Sequence, residues 1–164
     1  VGPVHTVSVI PTGAGAAGYT MPLPEKDEMF DTKGHMIQEI MVSLGGRIAE
    51  EIILDDITTG ASQDIKQATA MAKAMVTKYG FSDRLGLINY DNDDEVFIGR
   101  DLAQSKGYAE HTASVIDEEV KNIIDTCYKD AKKIIEDHME QLQKCAQMLI
   151  EKEKINQQEF ESIF

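Results

Sequence analysis

Three observations predict a mostly α chain carrying a small β-hairpin or sheet at its N-terminal side, an α+β class. Apolar residues recur at steps of three and four across residues 33–78 and again from about residue 109 almost to the end. Polar and apolar residues instead alternate, among β-branched side chains, glycines and prolines, in the first two dozen positions. The length of 164 residues, with 42% hydrophobic and 27% charged, suffices for a domain with a real core.

Thr6-Val7-Ser8-Val9-Ile10 alternates and reads as a half-buried strand, Pro11 to Gly15 as a turn, and Ala17 to Met21 as a returning strand. Pro22 and Pro24 end it, since proline donates nothing to a ladder. A hairpin so rich in Gly and Pro is either an ordinary loop-rich hairpin or a sheet edge open to an extended peptide. Thr32 caps a helix from about Lys33 to Leu54, whose stripe is Met36, Ile37, Ile40, Met41, Leu44, Ile48, Ile52 and Ile53. Gly45-Gly46 in mid-helix is unfavourable by about 0.8–1.0 kcal/mol per glycine relative to Ala, which points to close approach by another backbone. Arg47, Glu50 and Glu51 follow as a solvated face with an i,i+4 Arg47–Glu51 pair.

Thr58-Thr59-Gly60-Ala61-Ser62-Gln63-Asp64-Ile65 is a turn feeding the next helix, about Ser62 to Lys78, with Ser62 as N-cap, Asp64 in the first turn and Gly80 just past the end. Leu85 to Tyr90 reads as a third strand and Asp91 to Glu95 as a solvated acidic loop, without the glycine and glutamate spacing of a calcium loop. Helix resumes near Ala109, breaks near Asp137-His138, and gives way to a short last helix that Asn156 and Glu159 begin as a capping box. The chain divides accordingly into an edge-strand region (1–30), two helices around Asp64 (31–80), a loop and strand region (81–108) and a helical bundle (109–164), together one partial domain.

The formal net charge is −13, from 16 basic and 29 acidic residues, and no basic cluster stands out. Nucleic-acid binding and adhesion of this segment to an anionic membrane are therefore not expected. No apolar run approaches the ~20 residues of a membrane-spanning helix, and the first residues, Val1 to His5, lack a signal-peptide pattern. Without an initial Met, the sequence reads as part of a longer protein. Cys127 and Cys145 read as reduced thiols, and no C-x-x-C occurs.

Chemistry is sparse. His5, His35, His111 and His138 form no H-E-x-x-H; there is no G-x-S-x-G and no phosphate-cradling lysine loop. Gly13 to Gly18 matches G-x-G-x-x-G by letters only, because it leads into Tyr19-Thr20 and prolines rather than a helix. On residue chemistry alone Asp64 is a dipole partner for its helix, a role contributing about 0.3–1 kcal/mol.

Several segments, in order, resemble the proteolytic domain of FtsH-type, membrane-anchored, ATP-dependent zinc metalloproteases. They are Val4 to Pro11, Gly18-Tyr19-Thr20, Leu44-Gly45-Gly46-Arg47-Ile48-Ala49-Glu50-Glu51, Thr58 to Ile65, Met75 to Ser82, and Ile98-Gly99-Arg100-Asp101. Thr12, where the family often has a basic residue, and Gly34-His35 at a helix start depart from the pattern. The resemblance implies that Asp64 is the third protein ligand of a catalytic zinc, whose two His ligands and general base come from an H-E-x-x-H helix upstream of Val1. It implies Glu50 and Glu51 as supporting residues near that metal, and Thr6, Val7, Ser8, Val9 and Ile10 as a substrate-edge strand. It further implies a separate ATPase domain using ATP and Mg, a homo-hexameric ring, and unfolded, membrane or regulatory proteins as substrates. The parent would be anchored with this domain on the cytoplasmic side of a bacterial membrane, or on an inner organelle face in a eukaryote. With one of three ligands and no base, this segment alone is expected to be inactive. The alternative is a non-catalytic helical oligomerisation or adaptor module.

Overall fold

The computed structural model describes residues 2–11, 18–23, 30–91 and 108–164. The Pro11–Gly15 turn, the G-x-G-x-x-G letters, the acidic loop after Asp91 and the Ile98–Asp101 segment lie wholly or largely outside these residues. The elements are β1 (Val4–Ser8), β2 (Tyr19–Pro22), α1 (Lys33–Leu54), α2 (Ser62–Thr77), α3 (Glu110–Asp137), α4 (Met139–Lys152), β3 (Lys154–Asn156) and α5 (Gln157–Glu161). They form two compact units, Val1–Asp31 with Lys132–Phe164, and Thr32–Ala131, the division falling within α3.

In the Thr32–Ala131 unit, α1 has the bounds its sequence predicts. The Thr32 hydroxyl accepts from the His35 N–H at 3.1 Å, so Gly34-His35 does not spoil the start. Met36, Ile40, Leu44 and Ile48 are buried at four-residue spacing, while Ile53 at the end of the predicted stripe is half exposed. α2 packs along α1, and Ala68 and Ala72, both fully buried, keep their separation small. Met75 and Val76 complete the α2 face. Nothing lies within 4 Å of a Cβ placed on Gly45 or Gly46, so among the described residues no backbone makes the close approach that the glycine pair suggested.

Two local expectations need correction. The N-cap role assigned to Ser62 belongs instead to Thr58, which caps one turn of 3-10 helix (Thr59–Ala61) that runs straight into α2, with Ser62 already helical. Residues 85–90 are not a strand: a turn at 83–85 and a positive φ of 69° at Gly86 divert the chain. Side chains hold the segment instead. The Ser82 hydroxyl donates to Glu119 at 2.7 Å, Arg84 reaches both Glu118 and Glu119, and Leu85 packs with Val76 and Ile116. These carboxylates raise the Arg84 pKa further, by accepting its hydrogen bonds, Glu118 first and Glu119 second.

The other unit contains the sheet, in the order β2-β1-β3 and antiparallel throughout. Val7 pairs with Thr20 on one side and Ile155 on the other, and Ile155 is fully buried. β1 starts earlier than the sequence suggests, and β3 was not foreseen at all. Thr6, Val7 and Ser8 therefore sit in the central strand with both neighbours taken, and Val9 and Ile10 continue beyond the ladder, exposed. An extended chain adds to a sheet only at a free edge, and in this three-stranded sheet the outer strands are β2 and β3. The break before α4 falls at His138, and the predicted capping box is formed, Asn156 accepting from the Glu159 N–H at 2.9 Å. Both cysteines are free thiols.

The glycines give a paired test of this packing. Gly80 has a φ of 66°, and a Cβ there meets Leu87 at 3.1 Å. Gly80→Ala is expected to destabilise by about 1–2 kcal/mol through the left-handed backbone penalty, whereas Gly45→Ala, in open space, should stabilise by about 0.8–1.0 kcal/mol. Urea unfolding of the two variants of this chain measures both; equal signs would refute the assignment.

Candidate functional site

The site is built at the junction between α1 and the start of α2. Asp64 is the third residue of α2 and is exposed. A carboxylate here complements the helix N-terminus, yet among the described residues the Asp64 side chain makes no hydrogen bond or ion pair. Ala61, which occupies the N-cap of α2, is buried and has no side chain with which to cap. The start of α2 is instead held from outside, by α1.

Two α1 side chains do this. Glu50 accepts from the Thr58 hydroxyl at 2.6 Å and from the Thr58 N–H at 3.3 Å, one bond to each carboxylate oxygen. Arg47 donates through Nη1 to the Thr58 carbonyl at 2.9 Å. The Thr58 hydroxyl oxygen also accepts from the Gly60 N–H at 3.1 Å. A Cβ at Gly60 would lie 3.2 Å from Thr58 Oγ1 and 3.9 Å from Glu50 Oε1, so a side chain there would crowd the Thr58 hydroxyl. The hydrogen bonds from the Thr58 side chain and backbone hold the Glu50 carboxyl below its ordinary pKa, with the Arg47 charge adding to them.

The sequence anticipated Glu50 and Glu51 together, and the structure separates them. Glu51 accepts from the Tyr128 hydroxyl of α3 at 2.5 Å, while Glu50 faces the segment leading to Asp64. The sequence missed Arg47 and Thr58. Arg47 was matched with Glu51 by helical spacing, but its guanidinium reaches the Thr58 carbonyl. The available signal was a threonine two residues before a glycine, a pattern that favours a side-chain-closed turn. Thr6 to Ile10 lie in the other unit, on and just beyond β1.

Zinc takes carboxylate, imidazole or thiolate donors, and a catalytic site uses three of them with one position open. Asp64, an accessible oxygen donor on a helix start with no competing partner among the described residues, fits as one such ligand. No group of three or more His, Cys, Asp or Glu suited to a metal exists among the described residues. The described residues thus fit a contribution to a metal site, and not a whole one.

Comparison with known proteins bears on this geometry. A model of the family described as peptidase family M41 matches residues 1–163. The chain is 48% identical over 162 residues to a protein of Caldicellulosiruptor bescii named ATP-dependent zinc metalloprotease FtsH, covering 98% of this chain and 26% of that protein. It is similarly 48% identical over 163 residues to ATP-dependent zinc metalloprotease FtsH 1 of Thermoanaerobacter sp. strain X514, covering 99% and 26%. An FtsH of Thermotoga maritima is 41% identical over 162 residues, covering 98% and 27%. The chain thus spans about a quarter of the length of these curated relatives.

The Glu50 contact predicts a pH dependence. A carboxyl whose pKa is lowered by folding stabilises the fold above its unfolded value and loses that contribution as pH falls through the lowered one. Wild type should therefore melt slightly above Glu50→Gln at neutral pH, with that small gap closing as pH drops below the ordinary value of 4.5. Paired thermal melts from pH 7 to 3 check this; a gap that stays constant would show that the ionised carboxylate is not responsible.

Proposed function

The chain belongs to peptidase family M41, and from that premise we propose that it forms part of the zinc-dependent peptidase domain of an ATP-dependent protease, with Asp64 as a metal ligand. The observation that supports this most is the Asp64 carboxylate, without a partner among the described residues and held at a helix start within the Thr58–Ile65 segment on which the family resemblance rests. A bound zinc would lower the pKa of its water toward ~7 and polarise the scissile carbonyl. The work of this chain is to bind and to orient. Asp64 supplies one oxygen, and its anionic charge offsets part of the metal's. Glu50, by this reading, acts through Thr58, and Glu51 braces α1 against α3.

The remaining ligands and the general base are assigned to an H-E-x-x-H segment, a sequence these 164 residues do not contain. In the same reading, ATP and Mg act in a separate ATPase domain, the protein assembles as a hexameric ring anchored to a membrane, and unfolded or membrane proteins are its substrates. Substrate chains are held extended by main-chain bonds along an edge of the three-stranded sheet, a mode that tolerates many sequences. No helix among the described residues is long and apolar enough to cross a membrane.

Asp64→Asn in the full-length protein tests the assignment. The change is nearly isosteric, so the stability of the metal-free protein should fall by no more than a dipole partner's ~1 kcal/mol, while bound zinc and casein hydrolysis fall to background. The 164-residue chain alone should bind no zinc tightly and cleave no casein. Retention of both zinc and turnover by Asp64→Asn would return Asp64 to a dipole role.

A further inference from the structure

We infer that Arg47, Glu50 and Thr58 act as one positioning unit that fixes the Asp64 carboxylate in space, and so sets metal affinity without any of the three touching the metal. The inference rests on the reading of Asp64 as a ligand and adds to it the device that aims it.

Helix starts fray, and α2 begins without a side-chain cap of its own because Ala61 occupies that position. Thr58 makes up for this. Its N–H and hydroxyl are both given to Glu50, its carbonyl receives Arg47, and its hydroxyl oxygen closes the turn onto Gly60. Every polar group of Thr58 is therefore used. Arg47 and Glu50 are three residues apart on α1, adjacent on its surface, and Ile48 between them is fully buried. The clamp thus stands on a rigid part of the core. One turn of 3-10 helix, ending in buried Ala61, joins Thr58 to α2 and leaves no slack before Asp64.

Exposed polar contacts of this kind contribute little to global stability. Their effect is geometric. Metal–ligand distances are tight to about 0.2 Å, and groups that orient ligands commonly change metal affinity by about 10–100-fold when removed. A clamp with little influence on melting and a large one on metal retention is the signature of positioning.

The test uses the full-length protein and measures zinc affinity by chelator competition, alongside melting temperature. Thr58→Val keeps the shape and removes the hydroxyl; Glu50→Gln removes one of two acceptors. Each should weaken zinc binding by about 10–100-fold with little change in melting temperature, Thr58→Ser should restore the wild-type value, and the double variant should be no weaker than the worse single one. Asp64→Asn is the reference. If Asp64→Asn loses zinc while Thr58→Val and Glu50→Gln both hold it normally, the positioning inference is overturned and the ligand assignment stands. If Asp64→Asn itself retains zinc, the ligand assignment falls, and the inference with it. Multiplying losses in the double variant would also overturn the inference, because two independent contacts would then be at work.

Discussion

The buried face of α1 is the constraint on which the Thr32–Ala131 unit depends. Met36, Ile40, Leu44 and Ile48 put four apolar side chains on one stripe, and α2 lies along α1 because Ala68 and Ala72 let it come near. From α3, the Cys127 thiol approaches the Ile37 carbonyl and Tyr128 bonds Glu51. A side chain of two or three methylene units at Ala68 or Ala72 would push α2 away, since closely packed interiors tolerate added volume poorly. The polar consequence follows from the apolar one. Only with α2 at this distance do Glu50 and Arg47 reach Thr58.

Hydrophobic packing therefore decides where α2 lies, and hydrogen bonding decides how its first turn is held. The two contribute differently. Burial of Ile40, Ile48, Met75 and Val76 supplies stability, whereas the Thr58 contacts, near water, mainly define geometry. Burial raises the thiol pKa of Cys127, with Asp130 adding to the effect, so this sulfur is a packing group and a poor nucleophile.

Much of this was legible in the sequence, for identifiable reasons. The α1 bounds could be read because Thr32 is a capping residue followed by an uninterrupted 3–4 periodicity, and the α5 start because Asn156 and Glu159 satisfy each other locally. Features set by distant partners were not legible. β3 has only three residues and exists because β1 offers an edge to it. Leu85 to Tyr90 has strand-like composition, but Gly86 and the Ser82 and Arg84 contacts to α3 outweigh that propensity. Arg47 had a plausible partner four residues away, and the tertiary acceptor at Thr58 won. At the site, the resemblance singled out Asp64 with Glu50 and Glu51, and only the fold shows that Glu50 bonds Thr58, in the segment leading to Asp64.

The central claim is that the Asp64 carboxylate faces a zinc ion. Crystals of the protein that includes the H-E-x-x-H segment, with diffraction recorded on both sides of the zinc absorption edge, test it most directly. The account predicts an anomalous peak about 2.0–2.2 Å from one Asp64 carboxylate oxygen, the usual zinc–carboxylate distance. A fully occupied zinc peak ligated by other residues, with Asp64 turned to solvent, would contradict it.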